Sequence, residues 1–176
     1  MSEAQRDRLR KRTRTMTFDK GAPVFSQGEI CRQVYYICSG IVKLSYLTLG
    51  GKEMIKSFIS EEQMFGSLQS QLTGGESTFS AIALEPLTVD VLDYSELQKI
   101  IDNNPQTQKL MLYFFQQLSL KKEKREYELL CLSAGLRYQK LCEENPGLVR
   151  RIKQVDLAHY LGITPIALSR LKHRDL

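Results

Sequence analysis

Near the end of the chain, Ile166, Ser169 and Arg170 stand at i, i+3 and i+4, the spacing that puts three side chains on one face of a helix. Their chemistry suits the reading of base pairs. A guanidinium can bond guanine through two parallel hydrogen bonds, a hydroxyl bonds several base edges, and a branched apolar side chain covers a thymine methyl. Thr164, Lys172, His173 and Lys153 flank that face with groups suited to phosphate oxygens, which position a protein on nucleic acid without reading its sequence. Each of these four also has a plain reading as a solvated surface group.

Such a face works only if the chain holds it rigidly, and residues from Val155 to Lys172 carry what that requires. Two helices meeting at a tight turn need a small residue where they cross, supplied by Ala158. The turn needs a residue that accepts positive φ, and Gly162 lies four positions later. Leu157, Leu161, Ile163, Leu168 and Leu171 are spaced to form a shared apolar wedge. Thr164 suits the N-cap and Pro165 the first turn of the second helix, read as Pro165–His173. The pattern is that of a helix-turn-helix, with Pro165–His173 as the helix that enters the major groove.

Charge supports a polyanionic partner for this end. Lys and Arg are outnumbered 12 to 13 by Asp and Glu through residue 104, but outnumber them 13 to 7 afterwards. Six of those first twelve basic side chains crowd the first fifteen residues (Arg6, Arg8, Arg10, Lys11, Arg12 and Arg14) and read as a solvated arm. No apolar run approaches the ~18–20 residues that span a bilayer, and no signal-like segment opens the chain. A cytoplasmic location and no membrane partner are expected. Cys31, Cys38, Cys131 and Cys142 form no paired motif and read as buried thiols rather than ligands. No metal or other cofactor is expected. The first histidine is His159, which counts against a metal-holding β-barrel enzyme, and no nucleophile–base set or phosphate loop is legible. The chain is read as a non-enzyme.

The elements ahead of the motif define the architecture. Ala22–Phe25, Gln33–Cys38, Ile41–Thr48, Glu53–Ile59, Ser77–Ala83 and Leu87–Leu92 read as short strands separated by turns, with Gly50-Gly51 marking a hairpin. That spacing argues for a barrel or sandwich. Tyr94–Asn103 reads as a helix. A long helix free of glycine follows from Pro105 to about Leu132, with Met111, Leu118 and Leu132 on one seam and Phe115 and Leu129 beside it. Arg125 interrupts the seam. A heptad-like seam on so long a helix predicts a homodimer contact. Ser133 caps a further helix, Ala134–Glu144, whose buried stripe is Tyr138, Leu141 and Cys142, and Asn145-Pro146-Gly147 stops it. The expected fold is α+β: a β jelly-roll sensor over 1–104, a dimerisation helix over 105–132, and a helix-turn-helix domain over 133–176.

In this order of parts the chain resembles the Crp–Fnr family of bacterial transcription regulators. The resemblance rests on Lys20-Gly21 with Gln27-Gly28-Glu29, on Tyr36–Lys43, on Phe65-Gly66, and on Leu161–Thr164 with Leu168-Ser169-Arg170. It implies a cyclic-nucleotide-binding-like jelly roll, dimerisation along the long helix, and effector control of binding to double-stranded DNA at promoters, with RNA polymerase as a further candidate partner.

Three departures qualify it. Where the family's phosphate-binding cassette carries Glu and Arg, this chain has Ser67 and Ser77, the latter followed by Thr78. A buried cyclic phosphate would lack its main counter-charge, so a small-molecule effector other than cyclic AMP is expected. The candidate pocket is Gly66, Ser67, Leu68, Ser77 and Thr78, with Gly66–Leu68 open to anion binding through the backbone. Ile166 stands where many family members carry Glu, which predicts a different DNA site. The residues after the recognition helix are too few for the family's β-hairpin wing. The alternative reading, a ligand-binding module whose helical end docks a protein, stays open at this level. Arg170→Ala separates the two.

Overall fold

The computed structural model describes residues 12–174. The basic arm up to Lys11 therefore lies outside the described residues, and Arg12 and Arg14 lie within them.

Alternation builds the front of the chain. In β3 (Gln33–Ser39), Tyr35 and Ile37 are buried while Tyr36 and Cys38 face solvent. In β8 (Leu87–Asp93), Leu87, Val89 and Val91 point inward at the same two-residue period. β1 (Arg14–Phe18), β8, β3 and β6 (Met64–Phe65) form one four-stranded antiparallel sheet in that order. β2 (Pro23–Phe25), β7 (Ser80–Ala83), β4 (Val42–Leu47) and β5 (Glu53–Ile59) form the other. The inner faces of the two sheets close on a core led by Phe25, Tyr35, Ile37, Phe65 and Phe79. Gly51, at φ 75°, turns the β4–β5 hairpin, with its N–H donated to the Thr48 carbonyl.

Three short elements depart from the sequence expectation. β1 and β6 were not anticipated: in β1 only Met16 and Phe18 are half-buried between exposed polar residues, and β6 has two residues. α1 (Leu68–Thr73) fills part of what read as a loop. The strand expected from Ser77 starts at Ser80, because the Ser77 hydroxyl donates to the Phe79 carbonyl and bends the chain there.

α2 (Tyr94–Asp102) leads to α3 (Pro105–Cys131), a 27-residue helix capped by Asn104, whose Oδ1 accepts from the amides of Gln106 and Thr107. α4 (Ala134–Glu144) is capped by Ser133. Asn145-Pro146-Gly147 ends α4 but also begins α5 (Pro146–Arg151), since proline suits the first helical turn. α6 (Gln154–Leu161) and α7 (Pro165–Arg174) complete the chain.

A second core joins the two halves. Ile41, Ile55 and Phe58 of the β-roll pack with Leu141, Ile152, Leu157, Leu161 and Leu168 of the helical end. The sequence pattern foresaw the leucine wedge but not that the outer face of β4–β5 would be its floor. Among the described residues, no helix is long and apolar enough to cross a membrane, and no group of three metal-capable side chains comes together.

Candidate nucleic-acid interface

The turn between α6 and α7 is closed by backbone bonds. Gly162 adopts φ 72°, its N–H donates to the His159 carbonyl, and the Ile163 N–H reaches back to the Ala158 carbonyl at 3.0 Å. This is the left-handed helix stop that glycine accommodates without a Cβ clash. Thr164 then caps α7, its hydroxyl accepting from the Ala167 amide at 3.2 Å. Ala158, Leu161 and Leu168 are wholly buried and Leu157 nearly so, while Ile163 and Leu171 are half-buried at the edge of the wedge.

That packing leaves the opposite face of α7 free. Ile166, Ser169 and Arg170 are all exposed, with Thr164 at the same end. Arg170 has no ion-pair or hydrogen-bond partner among the described residues. Lys153 precedes α6 on the surface and His173 is exposed. Lys172 is turned aside, its Nζ 5.7 Å from the centre of the Tyr138 ring, and is half-buried. The structure thus brings Ile166, Ser169 and Arg170 into one exposed face and sets Lys172 apart from it.

The helix-turn-helix is strapped to its neighbours by charges not singled out in the sequence. Lys43 of β4 donates to Asp156 of α6 at 2.9 Å and to Glu53 of β5 at 2.8 Å, with Asp156 buried. Burial by itself would lower the Lys43 ammonium, but the two carboxylates hold it above the ordinary lysine range. Burial would raise Glu53, and Lys43 outweighs that and holds it below the usual carboxylate range. The lysine's contribution is complete below its unfolded pKa and is lost as pH rises through the raised folded value. Glu53 contributes above the unfolded carboxylate pKa and loses its contribution as pH falls through the lowered one. The strap therefore persists across the neutral range.

Further contacts brace the helical end. Tyr160 of α6 lies between the Phe58 ring, 5.2 Å away centre to centre, and the Arg125 guanidinium, 3.7 Å from its own ring centre. Arg125 also donates to the Tyr160 carbonyl. Arg137 of α4 donates to the Leu132 carbonyl beyond α3 at 2.6 Å and to the Leu161 carbonyl ending α6 at 2.8 Å, a cation at two helix C-termini. Arg151 pairs with Glu61 and Glu85 of the β-roll, and its guanidinium holds the Glu61 carboxyl down to about 2.

Lys43→Met is expected to lower stability by about 3 kcal/mol, because it leaves two partly buried carboxylates unpaired. Calorimetric melting checks the loss. Lys43→Met combined with Asp156→Leu should recover much of it, and no recovery would mean the pair is not the cause.

The predicted effector residues divide. Gly66, Leu68 and Thr78 line a cavity of about 950 Å³ between the β-roll, α3 and the helical end. Ser67 and Ser77 are buried in local bonds: the Ser67 hydroxyl accepts from Ser70 to cap α1, and Ser77 bends the chain before β7. A Cβ at Gly66 would lie 2.8 Å from the Gln33 carbonyl and 2.4 Å from the Gln71 amide nitrogen, a close approach that only glycine admits. The cysteines are free, but only Cys31 is the buried thiol expected, with burial pushing it up; Cys38 on the outward side of β3 and Cys131 at the end of α3 are exposed, and Cys142 is half-buried.

On α3 the outcome differs from the seam read in the sequence. Met111, Phe115 and Leu118 line the cavity and are half-buried, whereas Leu110, Tyr113, Leu120, Tyr127 and Leu130 stand in solvent. Tyr113, Leu120 and Tyr127 are seven residues apart. Only the position of the β-roll distinguishes the inward stripe from the outward one.

Against known proteins, the profile of the cyclic nucleotide-binding domain matches residues 15–104. A global nitrogen regulator from a Nostoc species is 31% identical over 98 residues, covering 54% of this chain and 44% of that protein. The cyclic AMP receptor protein of Thermus thermophilus is 25% identical over 160 residues, covering 89% of this chain and 74% of that one. In three dimensions the chain is similar to FixK2 from Bradyrhizobium japonicum, with a TM-score of 0.81 at 19% identity over 92% of this chain and 83% of that one. The chain spans less than half the length of the nitrogen regulator that it matches.

Proposed function

The chain belongs to the cyclic nucleotide-binding domain family, in its Crp–Fnr branch, and from that premise we propose that it is a dimeric, sequence-specific DNA-binding transcription regulator controlled by a small molecule other than cyclic AMP. One observation carries the reading: Leu157, Ala158, Leu161 and Leu168 of the helix-turn-helix are buried, while Ile166, Ser169 and Arg170 form an exposed face on the opposite side of the last helix. Arg170 pairs with guanine, Ile166 covers a thymine methyl and Ser169 bonds a base edge. Thr164, Lys153 and His173 meet phosphates. Lys172 reaches a phosphate only by leaving the Tyr138 ring.

The exposed heptad stripe of α3 supports self-association, because a two-fold axis along the helix would bury Leu120 and Tyr127 against their own copies. Promoter DNA and a second copy are thus the partners, with RNA polymerase next to them on the DNA. The effector site is the cavity edged by Gly66, Leu68 and Thr78. Ser67 and Ser77 contribute by shaping it. Ser67 and Ser77 stand where the family carries Glu and Arg, so the sugar hydroxyl and the phosphate of a cyclic nucleotide do not find their family partners at those two places.

Selection from a random DNA pool with the purified protein tests this reading. The expected product is a palindrome with half-sites about one helical turn apart, ~34 Å. Band-shift affinity for it should fall steeply with salt as counterions are released. Failure to enrich any sequence, together with binding indifferent to salt, would overturn the proposal.

A further inference from the structure

Lys56 of β5 and Lys121 and Lys122 of α3 line one part of the cavity, Lys56 half-buried and the other two at its exposed rim, and none has a carboxylate within ion-pair distance among the described residues. Two other cations of the same cavity are engaged. Lys124 pairs with Glu144, and Arg125 is spent on Tyr160. The contrast sits within one cavity, so it is a property of one end and not of a basic helix as a whole.

Lys56 is held in an aromatic setting. Its Nζ lies 4.0 Å from the centre of the Phe79 ring and 5.7 Å from that of Tyr46, and the side chain is half-buried. Burial, then the nearby Lys122, pushes its ammonium down to about 8. The Phe79 ring face compensates this cation in part, and no carboxylate completes the compensation. Phe65, Met111, Phe114, Phe115 and Leu118 line the same cavity. Positive charge without a carboxylate partner beside aromatic rings is the complement of a molecule with one acidic group and an apolar body.

We propose that this end of the cavity binds an amphipathic organic monoanion, whose acid group lies between Lys56 and Lys122 and whose apolar body packs on Phe79 and the inward stripe of α3. The inference deepens the effector reading and rests on it only for the consequence for DNA. A neutral molecule of the same shape leaves the lysines unpaired, and a cationic one meets them directly. β5 carries Lys56 into the cavity and, two residues on, Phe58 against Tyr160. α3 carries Lys122 into the cavity and Arg125 over the other side of the same ring. A ligand bridging Lys56 and Lys122 therefore bears on both elements that grip the helix-turn-helix.

The test is calorimetric titration of the full chain with phenylbutyrate and with its neutral counterpart, phenylbutyramide. The carboxylate is expected to bind about 10-fold to 100-fold tighter, the range of a hydrogen bond to a charged group. Lys56→Met should erase that preference without lowering the melting temperature. The surface variant Lys122→Gln should weaken carboxylate binding and leave amide binding alone. Equal affinities for the two probes, no carboxylate binding at millimolar concentration, or an unchanged preference in Lys56→Met would each overturn the proposal. Band shifts on the selected DNA site keep the readings apart: DNA binding with no anion preference refutes the ligand class alone, and loss of DNA binding refutes the regulator reading.

Discussion

Arg170→Ala abolishes recognition of the selected DNA site and leaves the protein folded: that is the expected result. The guanidinium is exposed and has no partner among the described residues, so its removal opens no cavity and strands no charge. Its helix is held from the other side, by wholly buried Leu161 and Leu168 and by the Thr164 cap. One bidentate guanine contact carries about 1–3 kcal/mol. A dimer on two half-sites loses it twice, about 2–6 kcal/mol, or roughly 30-fold to 10,000-fold in affinity. Binding to scrambled DNA should survive with its salt dependence intact, since phosphates supply that part. Competition band shifts and a melting curve measure both. If Arg170→Ala holds the selected site as tightly as the parent protein, the proposed face is not the one that reads DNA.

The second large effect concerns α3. Leu120→Glu with Tyr127→Glu is expected to convert a dimer into a folded monomer. Leu120 is 57% exposed and Tyr127 56% exposed, so neither contributes much to the fold of its own chain. Across a two-fold axis each glutamate would face its own copy, and like charges at a helix contact repel. Loss of the second half-site removes the effective concentration that linked binding supplies, about 100-fold to 10,000-fold. Sedimentation velocity reads the first effect and band shifts on the palindrome the second. The matched control is Met111→Glu with Leu118→Glu on the inward stripe, which should disturb the cavity and leave the dimer in place. A dimer that survives the outer pair and dissolves with the inner one would place the contact on the wrong stripe.

What the amino-acid sequence determined without help was local. Two-residue alternation marked most strands, because a strand with one buried face must alternate. The helix-turn-helix was legible as a unit because its small residue, turn glycine, cap and leucine wedge fall within eighteen residues, at distances that backbone geometry prescribes. β6 escaped notice because two residues hold no period, and α5 because a proline that stops one helix can start another. The tertiary structure alone decided what depends on partners distant in sequence. Lys43 and Asp156 are 113 positions apart, and neither carries a local mark of pairing with the other. The stripes of α3 look equally apolar along the chain, and only the position of the β-roll makes one line a cavity and leaves the other in solvent. The setting of Lys56, half-buried over the Phe79 ring with no carboxylate beside it, is likewise a fact of the fold, since Phe79 lies 23 positions away in sequence.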